Sequence, residues 1–85
     1  MRIDYSPEFS RLFKKLPRDI QEEALKKEKI FRQNPFFPSL KTHKLSGNLK
    51  GRWAFSVSYT HRIIFSFPED QYVRFHSIGD HDIYK

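Results

Sequence analysis

The sequence predicts an α+β domain in which two N-terminal helices pack on a small antiparallel sheet of three to four strands. Apolar residues recur at helical spacing from Phe9 to Phe31, and a two-residue alternation takes over at Arg52. Helices followed by a run of strands with short connections are the pattern of a segregated two-layer fold. The 85 residues suit one domain, 1–85, with a limited core.

The opening residues alternate, with Ile3 and Tyr5 between charged neighbours, and read as a short strand entering the sheet. Ser6 followed by Pro7 fits an N-cap and first helical residue, after which Phe9, Leu12, Phe13 and Leu16 form an apolar stripe. Pro17 separates this helix from a second one beginning at Arg18 or Asp19 and ending at Arg32. Its apolar side is Ile20, Ala24, Leu25, Ile30 and Phe31, and Glu22 and Glu23 stand four residues before Lys26 and Lys27 on a solvated face. Asn34 and Pro35 end it. The rigid connection that follows carries Phe36 and Phe37, read as core packing beneath the sheet in preference to an exposed anchor for another chain.

Three strands complete the domain. Trp53, Phe55, Val57 and Tyr59 form one inward row, with small groups at Ala54, Ser56, Ser58 and Thr60 on the other face that leave space for a large ligand. A compact turn near Thr60 and His61 leads to a strand with Ile63, Phe65 and Phe67 inward, and residues 72–78 return as the next. This is an antiparallel meander, to which the first strand can add a fourth member.

Sixteen bases against ten acids give a formal charge of +6, which favours an anionic partner. Arrangement matters more than the total, because residues 41–62 contain Lys41, Lys44, Lys50, Arg52 and Arg62 and no acid. The chain has no cysteine, which excludes a disulfide framework, thiolate catalysis and a cysteine metal site. His43, His61, His76 and His81 match no compact metal-ligand spacing, so neither metal nor cofactor is expected. No long apolar stretch or apolar leader follows Met1, so no membrane association is expected and the cytoplasm is the default location.

A basic surface beside titratable imidazoles can hold a phosphate backbone and also move a proton. Metal-independent RNA cleavage needs a base for the ribose 2′-hydroxyl, a cation at the phosphate and an acid for the departing 5′-oxygen. Arg62 suits the cation's task through its multi-donor guanidinium, its plain alternative being a strand-end surface charge. His81 suits the leaving-group role, with Asp80 or Asp82 available to orient it, and His43 is the candidate base with Lys44 as an electrostatic aid. Lys50 and Arg52 are placed to hold the RNA backbone, with Gly47 and Gly51 letting the chain turn around them. Tyr84 can stack on a base, bond a phosphate or pack Ile83 against the fold.

Three segments in order, His43 to Trp53, His61 to Phe65 and Ile78 to Tyr84, resemble the RelE/ParE superfamily of bacterial toxins, most of all its RelE/YoeB/YafQ-type ribosome-dependent mRNA interferases. The resemblance implies a toxin of a type II toxin–antitoxin system, inhibited by a cognate antitoxin protein. It would enter the ribosomal A site, contact 16S rRNA and cut the bound mRNA there as an endoribonuclease. In that chemistry the 2′-hydroxyl attacks the phosphate, leaving a 2′,3′-cyclic phosphate and a 5′-hydroxyl. Arg62 matches the arginine of the family's strand motif, His81 a terminal histidine, Tyr84 a terminal aromatic, and His43 a histidine preceding the Leu-Ser/Thr-Gly segment of one branch. Trp53 and Phe55 stand where some relatives have lysines, and Ser56 where another branch has a second histidine. The base role therefore falls to His43 or to positioning and electrostatics. Two other readings are a ParE-like non-nuclease toxin acting on DNA gyrase and an inactive module that binds antitoxin or RNA.

Overall fold

A computed structural model describes residues 1–80 of the chain. The order of elements is β1 (Arg2–Tyr5), α1 (Pro7–Lys15), α2 (Arg18–Gln33), β2 (His43–Lys44), β3 (Trp53–Ser56), β4 (Arg62–Glu69) and β5 (Tyr72–Gly79), with 3₁₀ turns at Pro38–Leu40 and Gly47–Leu49. No helix among these residues is long and apolar enough to cross a membrane.

Ser6 opens α1 as the sequence indicates. Its Oγ accepts the Phe9 N–H at 2.9 Å and donates to the His76 carbonyl at 2.8 Å, so one buried hydroxyl caps the helix and ties it to β5. The end of α1 is tied down by Gln21 of α2, whose side-chain amide donates to the Phe13 carbonyl at 2.8 Å. On α2, Glu23 pairs with both Lys26 and Lys27, and Tyr5 donates to Glu28, joining β1 to the helix.

The sheet has five strands in the order β1-β5-β4-β3-β2, which corrects the expected three to four. It is also mixed: β1 runs parallel to β5, while the remaining pairs are antiparallel. A parallel neighbour needs a long crossover, and both helices lie in the connection that leaves β1. The other added strand, β2, is two residues long, too short to show a period.

One face of the sheet meets the helices. Phe31 of α2 is fully buried, stacked on Phe55 with ring centroids 4.8 Å apart and edge-on to Phe65 and Phe75 at 5.0 and 5.6 Å. Ile3, Phe9, Leu40, Val57, Ile63, Val73 and Ile78 complete this core. Several positions expected to face inward are exposed instead, among them Leu25 of α2 and Phe67 near the end of β4. Phe36 and Phe37 are 54% and 46% exposed, because Leu40 fills the buried position below the sheet while Phe36 lies edge-on to Trp53 at the rim. Tyr59 points into solvent because β3 ends at Ser56, and the turn closes with the Val57 and Ser58 N–H groups both donating to the His61 carbonyl.

Candidate nucleic-acid interface

Strand register assigns the polar side chains to faces, since residues two apart share a face and cross-strand partners match. Ile63 and Phe75 meet the helices, so Ser56, Arg62, Ser66 and Arg74 lie on the opposite face. His43, paired with Ala54, joins them there. Arg62 stands opposite Ser56 on one side and Gly79 on the other; Ser66 stands opposite Arg74. Arg52, the residue before β3, extends this last row.

Arg62 is half-buried and held in place. Its Nη1 donates to the carbonyls of Ser58 and His61, each at 3.1 Å, so the β3–β4 turn clamps one edge of the guanidinium. Among the described residues Nε and Nη2 have no partner and can donate to a ligand. The tight turn explains the clamp: both carbonyls are turned toward the start of β4.

His43 is exposed at the sheet edge, with Nδ1 2.9 Å from the Lys41 carbonyl. A carbonyl can only accept, so Nδ1 carries the proton and in the neutral ring Nε2 holds the lone pair. Lys41 itself adopts a left-handed conformation, φ 52°, at the end of the Pro38–Leu40 turn, which brings its carbonyl back to the ring.

The other proposed contacts lie elsewhere. Lys44 follows His43 and points to the opposite face, its Nζ 5.4 Å from the Trp53 ring centroid. Lys50 and Lys44 share a hollow of about 420 Å³ around Trp53 and Gly51. The backbone there turns through positive φ at Gly47 (65°) and Gly51 (90°). His43, Arg52 and Arg62 thus share one face, and Lys44 and Lys50 form a separate basic patch. His81 and Tyr84 lie outside the described residues, as does Asp82; β5 ends at Gly79, directly opposite Arg62.

One group has no role in the sequence reading. His76 occupies a β-bulge, since Ile64 pairs with Ser77 but Phe65 pairs with Phe75, leaving His76 as the extra residue. Its Nε2 is 2.7 Å from the Ser66 hydroxyl. Burial, then Arg52 and Arg74, push its pKa below the usual histidine value, with Glu8 pulling weakly the other way. The signal was in the sequence: Phe75-His76-Ser77-Ile78 puts two polar residues between inward ones, which breaks strict alternation. At the far edge Asp4 is held well ionised by bonds from Tyr72 and Arg2. Among the described residues no three His, Asp or Glu side chains converge as a metal site.

The fold and this face together define a small α+β protein with a basic, arginine- and histidine-bearing sheet surface. No protein-family model matches the sequence, and no curated protein matches it. Solved structures do. YafQ from E. coli strain BL21(DE3) is 25% identical and superimposes with a TM-score of 0.78, covering 99% of this chain and 98% of its own. A chain of the E. coli DinJ-YafQ toxin-antitoxin complex is 26% identical, with a TM-score of 0.71 over 95% of this chain and 92% of that one. A chain of the YoeB-YefM complex from Staphylococcus aureus, at 20% identity and a TM-score of 0.76, covers 95% of this chain and 97% of its own and adds support for the fold. The chain resembles the RelE/YoeB/YafQ toxin superfamily from end to end.

Proposed function

We propose that this chain is the toxin of a type II toxin–antitoxin pair and an endoribonuclease that cuts mRNA in the ribosomal A site. The observation that carries the proposal is Arg62, clamped by two carbonyls with its remaining donors available on the sheet face turned away from the helices. The likeness to toxins solved with DinJ and YefM supports a cognate antitoxin as partner.

In this reading His43 Nε2 accepts the ribose 2′-proton, and the 2′-oxygen forms a bond to the adjacent phosphorus. Arg62 stabilises the negative charge that builds on the phosphoryl oxygens. The bond to the 5′-oxygen breaks as His81 supplies its proton, giving a 2′,3′-cyclic phosphate and a 5′-hydroxyl. Arg52, Lys44 and Lys50 hold the backbone, 16S rRNA supplies further contacts, and Tyr84 contacts the RNA. Pairing geometry puts the backbones of His43 and Arg62 two strands and two residues apart, roughly 12 Å. Two side chains of this length can reach a common phosphate across that gap.

The test presents purified protein with mRNA programmed on bacterial ribosomes and maps both new ends, alongside Arg62→Ala and His81→Ala. Cleavage with cyclic-phosphate ends, lost in both variants, is expected. Intact mRNA despite demonstrated ribosome binding sinks the proposal, and gyrase-dependent DNA breaks would favour a non-nuclease toxin.

A further inference from the structure

A cavity of about 520 Å³ opens where α2 reaches the β3–β4 turn, lined by Lys27, Lys41, Ser58, Tyr59 and Arg62 among others. Three separate elements bring three cations to it. Lys27 Nζ lies 3.4 Å from the Val57 carbonyl and 3.6 Å from Glu23, so its charge is partly offset. Lys41 also lines the cavity and has no ion-pair partner among the described residues. Arg62, from the start of β4, lines it as well.

Beside these cations stands Tyr59, which is 95% exposed and makes no ring contact among the described residues. Its neighbours Val57 and Ser58 are held by the turn, so the phenol is presented from a fixed backbone. A flat aromatic surface next to a pocket of net positive charge suits a ligand with a planar base and a phosphate. A simple anion would leave the ring unused. An acidic peptide would satisfy the cations without requiring the stacking surface.

We infer that this cavity is a nucleotide subsite for single-stranded RNA, with Lys41 and Arg62 on the phosphate, Lys27 behind them, and the base stacked on Tyr59. The inference rests on the RNA-cleaving reading and extends the contact surface past the sheet, to a lysine of α2 and a turn tyrosine. The loop carrying Lys41 also holds His43 through its carbonyl, so a phosphate seated here would adjoin the proposed base.

The probe is a fluorescently labelled RNA hexamer with 2′-O-methyl sugars, which cannot be cleaved by 2′-hydroxyl attack. Its affinity is measured by anisotropy for the wild type, Lys41→Gln, Tyr59→Ala and the distant control Lys14→Gln, each checked for an unchanged thermal transition. Lys41→Gln and Tyr59→Ala should each weaken binding about tenfold, with Lys14→Gln near wild type. Lys41→Gln should also lower the salt dependence by about one phosphate contact. No detectable binding, or binding unaffected at both positions, overturns the subsite. So does a hexaglutamate peptide that competes equally well and is indifferent to Tyr59→Ala, which would assign the cavity to an acidic protein partner. If the hexamer seats as expected while ribosome-bound mRNA stays intact, the cleavage reading fails and the subsite stands. If mRNA is cut but neither variant affects the hexamer, the subsite alone fails.

Discussion

His76 Nε2 lies 2.7 Å from Ser66 Oγ across the one-residue bulge between β4 and β5. Burial, together with the charges of Arg52 and Arg74, depresses the pKa of the His76 ring below 6.5. In the unfolded chain the ring recovers its ordinary value and takes up a proton first as pH falls. Stability contributed by the neutral native ring is therefore complete above about pH 6.5 and is lost as pH drops toward the lower folded value. His76→Gln removes the titration, so wild type should lose melting temperature more steeply than this variant between about pH 7 and pH 5. Parallel slopes in a pH series of thermal melts would show that His76 is not depressed.

Ser6 sits on the other side of the same bulge. Its hydroxyl is both the α1 cap and a donor to the His76 carbonyl, and it is buried. Alanine there strands the Phe9 N–H and the His76 carbonyl together. A loss of about 1–2 kcal/mol is expected in urea unfolding, since it combines a missing N-cap with a part-buried acceptor deprived of its Ser6 donor. Ser6→Thr keeps the oxygen and should recover most of it.

The two helices were legible because their signals are local: Ser6-Pro7 for a start, Asn34-Pro35 for a stop, and apolar stripes between. The meander was legible by alternation. Tertiary requirements decided the rest. The two residues of β2 have no period to read, and the parallel docking of β1 is fixed by where the helices return the chain. Phe36 and Phe37 looked like core because they are apolar, but Leu40 reaches the interior first. For the proposed site, Arg62 could be nominated by residue type and position, whereas Lys27 could not. It lies on a helix face that reads as solvated, and only the fold brings it to the β3–β4 turn. His76 was readable in principle from the broken alternation at Phe75 and Ile78.

Gln71 is a side-chain-bearing residue at φ 61° in the connection between β4 and β5. Such a backbone conformation costs a non-glycine residue roughly 1 kcal/mol. Gln71→Gly relieves it, with part of the gain offset by the greater freedom of glycine in the unfolded chain. A net stabilisation of about 0.5 kcal/mol is expected, read as a rise in urea midpoint with unchanged slope. Gly51→Ala should act in the opposite direction. At φ 90° the added methyl meets no neighbouring atom within 4 Å, so its cost would be purely conformational.

Arg62→Lys separates charge from geometry at the proposed catalytic cation. In the native turn Nη1 serves the Ser58 and His61 carbonyls, and the rest of the planar group remains for the phosphate. A lysine ammonium is a single point with three donors. Bonding both carbonyls would pull it away from the substrate, and reaching the substrate would leave the turn unclamped. Single-turnover cleavage of ribosome-bound mRNA should therefore slow by about 10²–10³-fold in Arg62→Lys, close to the loss in Arg62→Ala. Binding of the uncleavable hexamer should weaken less in the lysine variant, because the positive charge is retained. A lysine variant that cuts at the wild-type rate would reduce Arg62 to a source of charge and remove the geometric basis of its assignment.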